Sequence, residues 1–307
     1  MRKKSKLSAT ITEQVNAKTS RLSNLPTKQM LTIISDEDRK VADVVRNEIP
    51  AIEKAITQII QHLKKGGRLI YVGAGTSGRL AVLDASELRP TFGAGPEIVL
   101  AVIAGGPRAL VRSAEGAEDR FEDGTKVLRD IGINKDDVVL GISASGRTPF
   151  VLGALKYSRK KHSATIALTS NPHSPISRAA SVTICPKTGP EIIMGSTRMK
   201  AGTAQKLVLN MISTVTMLKL GRTYGPLMVN LQPISAKLVK RATRIVALAT
   251  GLKPDQAQSR LREASMNVPA AILMTKAKLT YREANRLLKA TRGSLQAAIE
   301  LADSRPQ

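Results

Sequence analysis

Five short apolar runs, at 68–73, 98–104, 137–142, 164–169 and 181–185, alternate with segments mostly long enough to form a helix. The runs are built from β-branched and aliphatic residues, as in Leu69-Ile70-Tyr71-Val72 and Val138-Val139-Leu140-Gly141-Ile142. Strand and helix signals in alternation predict a parallel sheet covered on both faces by helices. In such sheets ligands bind beyond the carboxyl ends of the strands. Before the first run, residues 36–64 read as helical, with Val41, Val44, Val45, Ile49, Ile52, Ala55, Ile56, Ile59, Ile60 and Leu63 recurring at three- and four-residue steps. After the last run comes a long Ala/Leu/Met-rich helix over 199–220. Beyond Pro226 to Pro233 the strand signals stop, and helices are expected at about 234–250 and near 254–265, 280–290 and 294–302. The punctuation there is Lys253-Pro254-Asp255 and Thr291-Arg292-Gly293-Ser294. The expected organisation is an N-terminal lead-in and helix (1–50), an α/β domain (51–225) and a small helical C-terminal module (226–307).

Two loops fall at the predicted strand ends. Gly73-Ala74-Gly75-Thr76-Ser77-Gly78-Arg79 follows the first run, and Ser143-Ala144-Ser145-Gly146-Arg147-Thr148 follows the third. A loop that feeds a helix N-terminus offers free backbone N–H groups and a positive partial charge. Glycine lets the backbone approach closely, and the hydroxyls of Thr76, Ser77, Ser143, Ser145 and Thr148 add neutral donors. Two such loops on successive strand–helix units point to a phosphorylated small molecule.

Composition narrows the class. The 307 residues suffice for one large domain and a smaller one. Cys185 is the sole cysteine, which excludes an internal disulfide framework and suits a reducing cytoplasm. With three His and one Cys, no structural zinc site is expected. No apolar run approaches the roughly 20 residues of a membrane span. The basic start, Met1-Arg2-Lys3-Lys4-Ser5-Lys6, lacks the apolar segment of a secretory signal and reads as a disordered lead-in. The net charge of +24 raises the question of nucleic acid, but the excess is spread as +5, +8 and +11 over residues 1–64, 65–218 and 219–307. With aromatics at 2% there is almost nothing to stack on bases, so no specific nucleic-acid partner is expected.

In order and spacing these residues resemble the N-acetylmuramic acid 6-phosphate etherase family, of the sugar-isomerase (SIS) domain superfamily. The resemblance covers nearly the whole chain. It includes Thr12-Glu13-Gln14, Ile34 to Asp38, Gly73 to Gly93, Ala114 to Asp119, Ser143 to Pro149, Gly195 to Lys206 and the closing helical module. It implies a SIS-type three-layer α/β sandwich with a five-stranded parallel sheet. It implies a cytoplasmic homodimer that needs no cofactor and no metal. The implied reaction is cleavage of the D-lactyl ether of N-acetylmuramic acid 6-phosphate to N-acetylglucosamine 6-phosphate and D-lactate, by elimination and then water addition, in recycling or use of peptidoglycan amino sugars.

Such a reaction needs one group to take a proton from carbon, another to protonate the leaving oxygen, and an anchor for the phosphate. By motif match Glu87 takes the acid role and Glu118 the base role. Read from its neighbours alone, Glu118 belongs to a charged helical face with Arg108, Arg112, Glu115, Asp119 and Glu122, and such faces are usually solvated. Glu87 precedes Pro90-Thr91-Phe92-Gly93, which reads as a turn at a rim. The expected phosphate and substrate contacts are Gly75, Thr76, Ser77, Gly78, Ser143, Ser145, Gly146, Thr148, Ser196 and Lys200. Helix capping and surface charge explain Ser196 and Lys200 almost as well, along with Thr197 and Arg198. Arg79 and Arg147 are open between phosphate and structural carboxylates. His162 and His173 read as surface residues and Cys185 as a small core residue.

The chain departs from the family where Leu88-Arg89 replaces Cys-Pro, where Pro226 follows Tyr-Gly in place of Asn, and where Ser265-Met266-Asn267 stands for Gly-Gly-Ser. A cation two residues from Glu87 favours its ionised form, against the needs of a general acid. The competing function is a non-catalytic sugar-phosphate regulator such as the two-SIS-domain glucokinase regulatory protein. This chain has room for one SIS domain and keeps both glutamates. A SIS-bearing transcription regulator would need a helix-turn-helix domain ahead of the sheet, where this chain has the etherase lead-in.

Overall fold

The computed structural model describes residues 10–19 and 22–304, so the basic run 1–6 lies outside the described residues. The chain forms two compact units, Met1–Ala85 with Pro96–Ile212, and Ser86–Gly95 with Ser213–Gln307.

The first unit is built on five strands, β1 (Leu69–Gly73), β2 (Val99–Ile103), β3 (Val138–Ile142), β4 (Ala164–Leu168) and β5 (Val182–Ile184). All pairings are parallel, in the order β2-β1-β3-β4-β5. Every residue of β1, β3 and β4 is buried, which is why these runs show no polar alternation. Alternate side chains divide between two layers. Ile70, Val72 and Val139 join a core with Leu128 of α4 (Phe121–Asp130), with Phe150, Val151, Ala154 and Leu155 of α5 (Pro149–Lys160), and with Ile176 of α6 (Pro175–Ala179). Tyr71 points the other way, and its buried hydroxyl donates to Asp84 Oδ2 at 3.2 Å. That carboxylate also accepts from Asn210 Nδ2 at 2.9 Å. Asp84 and Asn210 sit on α3 (Gly75–Phe92) and α7 (Lys200–Lys219). The result is the three-layer arrangement that the alternation predicts.

The helical stretch expected over 36–64 is two helices, α1 (Thr27–Arg46) and α2 (Ile49–Leu63). The break falls at Asn47-Glu48, just ahead of Pro50, whose ring suits only the first turn of a helix. The turn expected at Pro90–Gly93 is also corrected, because α3 runs through Pro90 and ends at Phe92.

The second unit is helical, with α8 (Ala236–Thr250), α9 (Pro254–Glu263), α10 (Val268–Lys276), α11 (Tyr281–Ala290) and α12 (Leu295–Asp303). Side chains of Ser235, Asn267, Thr280 and Ser294 accept N–H bonds at the starts of α8, α10, α11 and α12. The helix α10 is not among those expected from the sequence, yet its residues Val268 to Met274 are all buried, and all but Pro269 belong to the unit's core. No helix among the described residues is long and apolar enough to cross a membrane.

Candidate functional site

From β1 the chain moves outward to β2 and returns to β3 on the opposite side. A crevice therefore opens between the carboxyl ends of β1 and β3, the point where a doubly wound sheet reverses direction. Gly73 and Ile142 are register partners there, so both Gly/Ser/Thr loops leave the sheet at one level.

The first loop passes directly into α3, which begins at Gly75 with φ of 52°. A Cβ on Gly73 would lie 2.7 Å from the nitrogen of Gly78 and 2.9 Å from its Cα. Only glycine lets the strand end and the first helical turn come this close. The leading N–H groups of α3, at Thr76 and Ser77, are in the first turn, where intrahelical acceptors are lacking.

The second loop is knitted together by its own side chains. Ser143 Oγ lies 2.7 Å from Thr148 Oγ1 and 3.4 Å from Ser145 Oγ, and it accepts the Gly146 N–H at 3.1 Å. Ser145 Oγ accepts the Arg147 N–H at 3.2 Å. Gly146 has φ of 68°, and a Cβ there would stand 2.2 Å from Ser174 Oγ. Behind the loop, Asn171 Nδ2 donates to Ala144 O at 2.8 Å.

Between the loops lies a cleft of about 320 Å³. Gly75, Thr76, Ser77, Ser143, Ser145 and Thr148 line it, as does Glu118. Gly78 and Gly146 do not; they act through the backbone approaches above. The cleft also takes in Glu13, Asp119, Arg147, Gly195 and Thr197. Hydroxyls and helix-start N–H groups suit the oxygens of a phosphate, Arg147 adds a cation, and Glu13, Glu118 and Asp119 supply carboxylates able to move a proton or accept from a sugar hydroxyl.

Glu118 does not sit on a helical face. It lies in the 3-10 turn Ala117–Asp119, entered through Gly116 at φ of 72° and separated from the 3-10 turn Pro107–Leu110. Glu115 is thus not one helical turn from Glu118, and the charged stripe expected over Arg108 to Glu122 does not form. Glu87 is an exposed residue of α3, in the segment assigned to the second unit. Because this segment is helical, Arg89 sits about 200° further round the axis, and the cation does not flank the carboxylate. Leu88 between them is buried.

Lys200 is not at the cleft. It is buried, and its Nζ donates to Glu37 Oε2 at 2.6 Å. Ser196 shares the turn that brings Thr197 to the cleft, with its N–H donating to Ile193 O at 2.9 Å, but does not line the cleft itself. Arg79 donates from Nε to Leu110 O at 3.1 Å, a structural contact with a carbonyl. Cys185 is only partly buried, just past β5, and burial raises its thiol to about 11.

Glu13 is the residue that sequence reasoning passed over. It closes the 3-10 turn Ile11–Glu13, held by Gly195 N–H on Thr12 O at 3.2 Å and by Asn171 Nδ2 on Thr12 Oγ1 at 3.2 Å. A three-residue turn has no periodicity to read, and its place at the cleft depends on partners far along the chain.

The family model for the glucokinase regulatory protein N-terminal SIS domain matches residues 51–159, and that for the SIS domain matches 127–215. The chain is 50% identical over 293 residues to N-acetylmuramic acid 6-phosphate etherases of Yersinia pestis (strain Pestoides F) and Yersinia pseudotuberculosis (serotype O:1b, strain IP 31758). Those matches cover 95% of this chain and 99% of each relative. Among solved structures, a phosphoheptose isomerase from Francisella tularensis aligns with a TM-score of 0.51 at 20% identity, over 63% of this chain and all of that one. That likeness concerns the fold.

Proposed function

This chain belongs to the N-acetylmuramic acid 6-phosphate etherase family, and on that premise we propose how its residues release D-lactate from N-acetylmuramic acid 6-phosphate. The chain is a carbon–oxygen lyase of that specificity; the 50% identity along 95% of its length carries this reading over the non-catalytic regulator.

The phosphate sits among the Thr76, Ser77, Ser143, Ser145 and Thr148 hydroxyls and the first N–H groups of α3. Ring opening exposes the aldehyde, which makes the proton at carbon 2 acidic. Glu118 removes that proton. The electron pair forms the carbon 2–carbon 3 double bond as the carbon 3–oxygen bond breaks, and Glu87 protonates the departing lactate oxygen. Water then adds at carbon 3 and a proton returns to carbon 2, so that one water is consumed overall. The glutamates exchange roles in this second half, with Glu87 accepting a proton from water. The assignment is supported by the motif match at both glutamates, by Glu118 lining the cleft, and by the helical path that keeps Arg89 from flanking Glu87. Gly78 and Gly146 serve through backbone geometry, and Ser196 and Lys200 are left out of the contact set.

The protein is further read as a cytoplasmic homodimer, supported by the family resemblance and the lone cysteine, with α7 as a candidate dimer element. Light scattering of the purified chain tests the dimer.

The test of function is D-lactate release from N-acetylmuramic acid 6-phosphate. Glu87→Gln and Glu118→Gln are each expected to lower it by about 10²- to 10⁴-fold, the usual worth of a positioned proton donor or acceptor. Binding of sugar phosphate without lactate release by the parent protein would return the reading to the regulator.

A further inference from the structure

Three ionisable side chains that the mechanism does not use lie together in the first unit. Lys200, Glu37 and Glu191 are 1%, 4% and 0% exposed. Lys200 Nζ meets Glu37 Oε2 at 2.6 Å, and Lys40 reaches the other oxygen of the same carboxylate. Glu191 binds backbone instead: its Oε2 accepts the Lys200 N–H at 3.1 Å and its Oε1 the Ala201 N–H at 2.9 Å. The start of α7 is thus gripped twice, through its backbone by Glu191 and through the Lys200 side chain by α1.

A buried ion pair is poor value as a source of stability. Its desolvation largely cancels its attraction, and apolar residues of similar volume often serve as well. What charged and hydrogen-bonded groups supply is a defined position, and here the position leads to the cleft. From the fixed residues 200–201 the chain folds back by Gly202 N–H to Thr197 O at 2.9 Å and Thr203 N–H to Met199 O at 2.9 Å. Gly195 N–H donates to Thr12 O at 3.2 Å. Gly195 and Thr197 line the cleft, and a Cβ on Gly195 would stand 3.2 Å from Glu13 Oε2. The wall carrying Glu13, Gly195 and Thr197 is therefore continuous with the buried array.

We propose that Glu37, Lys200 and Glu191 are positioning residues that set the Glu13–Gly195–Thr197 wall for the bound sugar phosphate. The proposal rests on the etherase reading for the identity of that ligand.

The decisive comparison is Lys200→Met against Glu37→Leu with Lys200→Met. The single change leaves a buried carboxylate with Lys40 as its remaining cation and is expected to lower both Tm and affinity. The double change removes the buried pair and is expected to restore Tm to near the parent value. Its Kd for N-acetylglucosamine 6-phosphate stays raised about tenfold, its KM rises more than its kcat falls, and the amides of Gly195 and Gly202 exchange faster. Recovery of Tm, affinity and amide protection together would show that the array is only structural and overturn the proposal. Should the double variant not regain Tm, Glu191→Gln decides: the same size, one backbone acceptor fewer, it is expected to loosen those amides and weaken product binding. Unchanged exchange and binding in Glu191→Gln overturns the proposal as well. Exchange and product binding are read without turnover, so a parent that released no lactate would remove the etherase reading and leave this test standing.

Discussion

In the turn after β1 the Thr76 and Ser77 hydroxyls have no partner among the described residues, and the shape is held by the backbone: an immediate helix start and the Gly73–Gly78 contact. In the turn after β3 the hydroxyls are themselves the scaffold, with Ser143 Oγ within reach of Ser145, Gly146 and Thr148. Both turns line the same cleft with the same residue types. The first keeps its hydroxyls free to donate to a ligand, while the second spends part of that capacity on its own shape. Similar residue types can therefore leave hydroxyls unengaged in one loop and tie part of them into the loop's own shape in the other.

Three substitutions test this difference. Gly73→Ala strikes the backbone frame of the first turn, since its three closest contacts, at 2.7 to 2.9 Å, are all main-chain atoms. It is expected to prevent folding or to cost several kcal/mol, roughly 3 or more as for a severe overpacking, measured by denaturant unfolding. Ser143→Ala comes next. It removes the Ser143 Oγ contacts to Gly146 N–H and Thr148 Oγ1, while Gly146 N–H keeps Ser143 O at 3.0 Å, so about 0.5–1.5 kcal/mol of stability is lost, together with about a tenfold rise in KM. Thr76→Ala is the mildest: Tm stays near the parent value, and only the Kd for N-acetylglucosamine 6-phosphate rises, by about the three- to tenfold of one hydrogen bond. A Thr76→Ala variant that unfolds as easily as Ser143→Ala would erase the distinction between the two turns.

The strands were legible because β1, β3 and β4 are buried along their whole length and so appear as unbroken apolar runs. The helix α10 was missed for the same physical reason. Seven consecutive buried residues, Val268 to Met274, leave no polar face and hence no amphipathic period. A short apolar run with no strand neighbours is ambiguous until its packing is known. At the cleft, the hydroxyl loops were readable from local composition. Lys200 misled, because a lysine after a polar loop reads as a ligand contact, and its partner Glu37 is 163 positions away. The charged helical face expected around Glu118 does not form, because the chain is non-helical between Leu110 and Ala117 and enters the turn Ala117–Asp119 through Gly116 at positive φ. Pro90 suggested a turn, yet α3 continues to Phe92.

The turn Ile11–Glu13 finishes the cleft, and its fasteners are Asn171, 159 positions from Thr12, and Gly195. During synthesis this turn leaves the ribosome before any strand of the sheet; its first fastener follows at residue 171 and its second only at residue 195. The wall made first is the wall seated last. A growing chain can thus assemble its sheet early while the cleft stays open on one side, closing only when Thr12 meets Gly195.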